Sequence, residues 1–313
     1  MLNFHKPSIS DYTWIHDILY PANLPGADNT FHNMYFWECY YGEVAEVCGH
    51  VTQRLSQNGV STYLYPAGTG DVAPALEEIM QDAKQRGEKF CLRGVTDDRK
   101  TLLETLYPGK FTFTAYRDSY DYIYTVEELT ELHGKKLQAK RNHCNRFEQD
   151  HPDARTEVVT PENLALCREM VQKWYEVHEW NEQIEQEKTA ISRAFDHFEA
   201  VHMDGLMLID NGEVIAFSMG ARMNEQYYDV CFEKAYSAIN GAYAMINREF
   251  SRMIAEKYPA LEYLNREDDM GEPGLRKAKE SYQPTLLLAK YNATLREEEK
   301  CGQERRPRPI SRP

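Results

Sequence analysis

One short turn constrains the fold of this chain more than any other feature: Asp210-Asn211-Gly212-Glu213, between two apolar runs at 206–209 and 214–217. An Asn-Gly pair between alternating strands favours a type I′ turn, because both central residues of that turn need positive φ. The sequence therefore predicts an antiparallel hairpin here, and a sheet must be built around it.

The segments around this hairpin predict a mixed sheet. A strand is expected at 156–160, helices at 161–177 and 184–201, the hairpin, a third strand at 226–232, a helix at 242–258 ended by Pro259, a strand at 261–264, a helix at 275–282 and a strand at 285–290. Helix-connected strands joined to an antiparallel meander are typical of an α/β fold with mixed, α+β-like sheets.

The first half of the chain shows a similar order without a sequence repeat. It predicts a helix at 8–19, strands at 34–40, 43–50 and 61–65, a helix at 72–86, a strand at 89–92, a helix at 97–107 and a strand at 111–115. We therefore expect two tandem copies of one fold: a domain at 1–125, a basic linker helix at 126–150, a second domain at 151–295, and a disordered tail at 296–313.

Composition limits the function classes. The net charge of −14 argues against a broadly nucleic-acid-binding surface, although a local basic groove is compatible with it. The seven cysteines include no Cys-x-x-Cys pair, so neither a metal site nor a disulfide framework is expected. No secretory leader and no membrane-length apolar stretch is visible, which predicts a cytoplasmic protein.

A basic segment interrupts this acidic background. Residues 134–147 carry five Lys or Arg side chains and no Asp or Glu, and they include Lys136, Lys140, Arg141 and Asn142. Positive charge concentrated against the overall sign favours binding of a phosphate or carboxylate. A solvated helix face is the alternative interpretation.

Three stretches carry a family resemblance: GKKLQAKRNHCNRF at 134–147, EYLNREDDMGEPGLRKAKESYQP at 262–284, and KYNA at 290–293. They resemble bacterial proteins related to the C-terminal domain of lysyl-phosphatidylglycerol synthase. The resemblance implies two tandem domains of the GNAT (N-acetyltransferase-related) type and a similarity to Fem-type peptidyltransferases. It also implies acyl or aminoacyl transfer from a coenzyme A thioester or an aminoacyl-tRNA to a small-molecule, lipid or peptide acceptor. The stretch 264–274 departs from the synthase sequence, so donor, acceptor and oligomeric state stay open.

Direct transfer to an amine or hydroxyl needs a base, an acid and donors for the oxyanion. Glu233, at the end of an apolar strand, is the candidate base, and Tyr282 is the candidate acid. A salt bridge of Glu233 with Lys234 or Lys277, and a core role for Tyr282, are the alternatives. Trp180 is a candidate for lining the cleft.

Two further groups complete the predicted site. Lys234, Ser237, Asn240 and Gly241 belong to a small polar loop before a long helix, where a pyrophosphate could meet backbone N–H groups; an ordinary strand-to-helix connection is the alternative. Asn265, Glu267, Asp268 and Asp269 follow a strand and could hold an amino group, with Lys277 also near a ligand; helix capping is the alternative. If no transfer occurs, the remaining hypothesis is a non-catalytic module that binds coenzyme A or a phosphorylated metabolite.

Overall fold

The computed structural model describes residues 1–177 and 181–296. Trp180 and the tail from 297 onward, for which a cleft role and disorder were predicted, lie outside the described residues.

Eleven α-helices are formed by the described residues, joined in places by short 3-10 turns. They are α1 (Tyr12–Leu19), α2 (Phe31–Phe36), α3 (Glu38–Tyr41), α4 (Ala73–Arg86), α5 (Asp97–Leu106), α6 (Val126–Glu131), α7 (Gln138–Asp150), α8 (Leu164–Glu176), α9 (Glu182–Asp196), α10 (Ala242–Lys257) and α11 (Pro273–Glu280).

The strands of the described residues form two sheets. They are β1 (Glu43–Val47), β2 (His50–Gln57), β3 (Val60–Leu64), β4 (Lys89–Val95), β5 (Phe111–Ala115), β6 (Asp121–Thr125), β7 (Arg155–Val158), β8 (Asp204–Asp210), β9 (Glu213–Arg222), β10 (Tyr227–Ala235), β11 (Tyr263–Asn265), β12 (Leu286–Leu288) and β13 (Tyr291–Leu295). The first sheet has the order β1-β2-β3-β4-β13-β5, and the second β12-β6-β11-β10-β9-β8-β7. The mixed α/β class and the repeated architecture predicted from the sequence are confirmed.

The two sheets exchange strands. β13, from the end of the described chain, lies between β4 and β5 and is antiparallel to both. β6, from the first half, lies between β11 and β12 and is antiparallel to both. Each sheet therefore contains one strand from the other half of the chain. The predicted domains, 1–125 and 151–295, do not coincide with the two sheets, and their boundaries stay a prediction.

A shared hydrophobic core joins the two halves of the chain. One cluster packs Ile15 of α1 and Met34 of α2 against Phe195 of α9 and Phe217 of β9. A second cluster covers the opposite face of the second sheet with α6, α7 and α10, and a third lies under α4 in the first sheet. Both faces of the second sheet are therefore buried.

The predicted hairpin is confirmed: Asn211 has φ 49° and Gly212 has φ 82°, as a type I′ turn requires. The strand predicted at 34–40 is wrong, because that segment forms α2 and α3. Thr30 caps α2 by accepting a hydrogen bond of 3.2 Å from the Asn33 amide. Phe31 and Met34 then lie three residues apart and are both buried, which is a helical rather than an alternating pattern.

Candidate active site

The second sheet opens where its parallel strands separate. β10 pairs with β11 at three positions, and the last pair is Asp229 with Asn265. Beyond that pair β10 continues to Ala235 beside β9 alone. The irregular register between Asp229 and Phe232 is a β-bulge, which re-aims side chains at this point. Backbone pairing is therefore missing from the carboxyl end of β11 onward; we call this gap between the two strands the crevice, and side chains rather than backbone bonds bridge it.

Glu233 and Arg266 bridge the crevice on the side of α10. Arg266 Nη2 donates to Glu233 Oε1 at 2.8 Å, and Asn247 Nδ2 of α10 donates to Glu233 Oε2 at 3.0 Å. Each side chain of the Glu233–Arg266 pair is only 12% exposed. Glu233 thus forms a salt bridge, as the alternative interpretation held, but its partner is Arg266 rather than either predicted lysine.

Tyr282 and Lys140 complete this side of the crevice. The Arg266 guanidinium carbon lies 4.9 Å from the centre of the Tyr282 ring, and Lys140 Nζ lies 4.0 Å from it. Burial raises the pKa of the Tyr282 phenol, against the opposing charge of Arg266. Burial and then the charge of Arg266 lower the pKa of Lys140. Tyr282 therefore keeps its proton at neutral pH, as a proton donor must.

On the α10 side of the crevice, two cationic groups, Arg266 and Lys140, accompany one carboxylate, that of Glu233. Arg266 Nη1 is buried and has no hydrogen-bond partner among the described residues. Lys140 forms no ion pair within the described part of the chain, where its contact is the Tyr282 ring. An unsatisfied guanidinium donor beside an unpaired ammonium group is suited to an incoming carboxylate, phosphate or oxyanion.

The other side of the crevice carries buried acidic groups. Asn33 Nδ2 of α2 donates to Asp229 Oδ2 and to Glu267 Oε1, at 3.1 Å each. Burial and then the charge of Asp121 raise the pKa of Asp229, and burial and then the charge of Asp229 raise that of Glu267. Cys231 of β10 lies beside them. Of this group, the sequence analysis selected only Glu267.

The other residues of the predicted acidic stretch hold the fold together. Asn265 Nδ2 donates to Asp121 Oδ2 at 3.0 Å, and its Oδ1 accepts from the Glu267 amide at 2.7 Å. Asp269 is buried and forms ion pairs with Arg117 at 3.0 Å and with Arg276 at 2.9 Å. Burial raises the pKa of Asp268 to about 6, despite the opposing charges of Lys290 and Lys279. Asn265 and Asp269 thus make structural contacts in the free protein.

The remaining predicted ligand-binding residues lie in other surroundings. Lys234 points to the opposite face from Glu233, where it pairs with Glu187 at 2.7 Å and lies 3.8 Å from the Trp174 ring centre. Arg141 Nη1 donates to the Leu132 carbonyl at 2.5 Å, which closes the connection between α6 and α7. Three predicted side chains are exposed: Lys136, Asn142 and Lys277. Of the basic segment, only Lys140 reaches the crevice.

Helix α7 contacts the end of the loop that was predicted to bind pyrophosphate. Gly241 has φ 86°, and a Cβ added there would lie 2.4 Å from the carbonyl oxygen of His143. His143 Nδ1 also lies 3.3 Å from Asn240 Oδ1. Ser237 and Asn240 are exposed. The glycine is thus needed for the close approach of α7 to the start of α10, a role that the sequence did not reveal.

A profile comparison assigns the chain to a family. The family described as the C-terminal part of phosphatidylglycerol lysyltransferase matches residues 22–294, which is most of the chain. The chain belongs to this family. The resemblance stated from the sequence motifs is therefore confirmed.

Individual relatives agree in fold. A crystal structure of a conserved protein of unknown function from Bacteroides thetaiotaomicron is 36% identical, with a TM-score of 0.88 over 95% of this chain and 100% of that one. L-PGS from Bacillus licheniformis is 14% identical, with a TM-score of 0.66 over 94% of each chain. FemX is 8% identical, with a TM-score of 0.59 over 94% of this chain and 98% of that one. The Fem-like, GNAT-like fold is thus confirmed.

A relative known from its sequence is an uncharacterised protein from Mycoplasmoides gallisepticum, 25% identical over 180 residues. The match spans 56% of this chain and 56% of that protein, a little over half the length of each. Among the described residues, no helix is long and apolar enough to cross a membrane. The comparisons thus give the chain its family and its fold.

Proposed function

We propose that the protein transfers an acyl or aminoacyl group to an amine or hydroxyl acceptor in the crevice between β10 and β11. The observation that supports this most directly is the Glu233–Arg266 pair, which bridges two separated parallel strands beside Tyr282. Ligands of open α/β sheets bind at the carboxyl ends of the strands, and this crevice has that position.

The side chains suit a direct transfer without a covalent enzyme intermediate. The acceptor nitrogen or oxygen attacks the donor carbonyl and loses a proton to Glu233. Glu233 Oε2 accepts one hydrogen bond from Asn247 and keeps lone-pair capacity for that proton. The carbonyl oxygen becomes negative and is met by Arg266 Nη1 and Lys140. As the carbonyl re-forms, the bond to the leaving thiolate or alkoxide breaks, and Tyr282 donates the proton that the leaving group takes up.

Two donor classes fit this chemistry, and the loop before α10 favours one of them. A coenzyme A pyrophosphate would need the backbone N–H groups at the start of α10. In this protein α7 packs against Gly241 at that place, and His143 contacts Asn240. We therefore favour an aminoacyl-tRNA donor, with acyl-coenzyme A as the second candidate.

The test compares donors and variants in one assay. Purified protein is incubated with charged total tRNA or with acetyl-coenzyme A, together with a pool of amines and host lipids, and products are identified by mass spectrometry. We expect Glu233→Gln to lower kcat by about 10²–10⁴-fold with little change in donor affinity, since general-base catalysis contributes about that much. Glu256→Gln, on an exposed position of α10, is the matched control and should leave turnover unchanged.

The competing hypothesis is a non-catalytic module that binds coenzyme A or a phosphorylated metabolite. The unsatisfied Arg266 Nη1 and the unpaired Lys140 would serve such a ligand equally well. Saturable binding of coenzyme A or aminoacyl-tRNA, with no product from any donor and acceptor pair, would establish this second function and refute transfer.

A further inference from the structure

Three potential metal-ligating groups meet on the α2 side of the crevice. They are the carboxylates of Asp229 and Glu267 and the thiol of Cys231, and their ligand atoms all lie within 4.8 Å of one another. Asp229 and Cys231 come from β10, and Glu267 comes from the segment after β11. The separation of the strands thus assembles a site that no sequence spacing indicates.

Cationic side chains compensate the charge of this cluster only without direct contact. Among the described residues, no ammonium or guanidinium group forms an ion pair with Asp229 or Glu267. Lys279 Nζ donates to the Arg266 carbonyl at 2.6 Å, and Lys290 Nζ donates to Asp121 Oδ1 at 2.7 Å, so neither buried ammonium group is bonded to the cluster. Buried carboxylates side by side are costly unless they are neutralised by protons or by a bound cation.

A second observation, independent of the spacing of the three groups, concerns the hydrogen bonding of Asp229. The side chain of Asp229 is fully buried, yet its Oδ1 has no hydrogen-bond partner in the described part of the chain. Buried carboxylate oxygens are nearly always satisfied, so an orphaned one needs an explanation. A cation would satisfy it and would neutralise the neighbouring carboxylate at the same time.

We propose that Asp229, Cys231 and Glu267 bind one divalent transition-metal ion, with Zn²⁺ as the best match. A thiolate together with two carboxylates suits Zn²⁺, and a three-ligand set leaves a fourth tetrahedral position open. Asn33 is the candidate fourth ligand, because its Nδ2 contacts both carboxylates and a half-turn of the amide would present Oδ1 to the ion instead.

The binding reaction balances in protons and charge. Zn²⁺ replaces the thiol proton of Cys231 and any proton shared by the two carboxylates, and these protons leave to the buffer. Glu267 is only partly buried, so an ion would enter from its side. No metal site was expected from the sequence, because only the spacing of the cysteines was considered. The present proposal differs from that expectation. It stands apart from the transfer chemistry, whose groups lie on the α10 side.

The test is metal binding, read without any activity assay. Protein stripped with a chelator is titrated with Co²⁺, whose thiolate complexes absorb by ligand-to-metal charge transfer, and then with Zn²⁺ in competition. We expect one Co²⁺ per chain with a charge-transfer band. Cys231→Ser should remove the band, and Asp229→Asn should weaken binding by at least about tenfold. Cys167→Ser, at another fully buried cysteine, is the matched control and should keep both band and affinity.

A second readout guards against variants that fold poorly. Zn²⁺ should raise the Tm of the wild-type protein and of Cys167→Ser, and should leave the Tm of Cys231→Ser unchanged, with circular dichroism confirming that each variant is folded. Absence of stoichiometric Co²⁺ binding by the wild-type protein would overturn the proposal, as would a band that survives in Cys231→Ser. A Tm raised by lysine methyl ester but by neither metal would assign the cluster to an ammonium group instead.

Discussion

Each sheet contains one parallel strand pair among its described strands, and the two pairs differ. In the first sheet, β3 and β4 stay paired at five positions from Val60 to Leu64, and the Tyr65 amide continues the ladder with a bond of 3.0 Å to the Arg93 carbonyl. In the second sheet, the pairing of β10 with β11 stops after three positions. The same local scaffold is thus closed in one half and open in the other.

The difference shows what separation of the strands makes possible. Beside the closed pair, Tyr63 and Leu92 pack into the hydrophobic cluster under α4, and Leu64 packs into the core shared by the two halves. Beside the open pair, Glu233 and Arg266 form a buried ion pair, and Asp229 lacks a partner for one oxygen. The first sheet also contains a largely buried ion pair, Arg54 with Glu88, but there the parallel strands stay joined by backbone bonds, whereas at the open pair only side chains join them. We infer that the first sheet supports the structure and the second carries the site.

The largest expected effect comes from breaking the ion pair in the open crevice. Arg266→Gln should abolish measurable turnover and destabilise the protein by about 3–5 kcal/mol, because Glu233 is left as an unpaired buried charge. Turnover is measured in the transfer assay and stability by urea unfolding. Arg266→Lys keeps the charge and should recover much of the stability.

The matched variant for this comparison is Arg54→Gln in the first sheet. Arg54 pairs with Glu88 at 3.0 Å, and its side chain is 9% exposed. This change should cost stability but leave the turnover of the folded fraction within about twofold, since the pair lies in the closed sheet. If Arg266→Gln and Arg54→Gln lost turnover equally, the inference that only the second sheet carries the site would be wrong.

A smaller effect is expected where α7 covers the start of α10. Gly241→Ala should destabilise the protein by about 2 kcal/mol or more, because an L side chain is disfavoured at φ 86° and its Cβ would lie 2.4 Å from the His143 carbonyl oxygen. Gly134→Ala has the same kind of backbone conformation but no atom within 4 Å of the added Cβ, so it should cost only about 1 kcal/mol. Both free energies of unfolding are measured by urea unfolding. Similar decreases in the two variants would show that α7 can move away from Gly241 at little cost.

The smallest effect concerns the contact between the two halves. His32 is buried and its Nε2 lies 2.7 Å from the Val201 carbonyl; burial lowers its pKa from 6.5 to about 4. Between these two pKa values the imidazole is protonated in the unfolded chain but neutral in the folded protein. The contribution of His32 to the free energy of unfolding is therefore fully present above pH 6.5 and is lost as the pH falls toward 4. Between pH 7 and pH 5 the loss should be about 2 kcal/mol. In urea unfolding, the free energy of unfolding of His32→Gln should fall by about 2 kcal/mol less between pH 7 and pH 5 than that of the wild-type protein. An equal fall in both proteins would exclude His32 as its source.

Local patterns predicted the second half of the fold well. The Asn-Gly hairpin, α8, α10 and β11 depend on turn chemistry and apolar spacing within one segment, and these signals are strong. The first half was predicted less well, because aromatic residues around Met34 suit a strand or a buried helix equally. The strand β13 was missed, because its partners β4 and β5 lie far away in the sequence and no local pattern reports them.

The candidate site was predicted only in part, for the same physical reason. Glu233, Tyr282 and Lys140 meet in the crevice, and each had a signal in charge or position. Arg266 was not predicted as a site residue, although a lone cation followed by Glu267 and two aspartates is a signal for an ion pair. Asp229 and Asn33 gave no signal at all, since a polar residue in an apolar segment reveals its function only through its neighbours in space.

The exchange of β6 and β13 between the sheets affects how the protein can be made. On the ribosome, the first sheet stays incomplete until β13, near the end of the described chain, has emerged, because β4 and β5 are joined only through it. Contacts this distant in sequence slow folding. Nascent chains should therefore expose the unpaired edges of β4 and β5 for most of synthesis, and chaperones can bind there. Halves of the chain that are expressed separately should aggregate through the same edges.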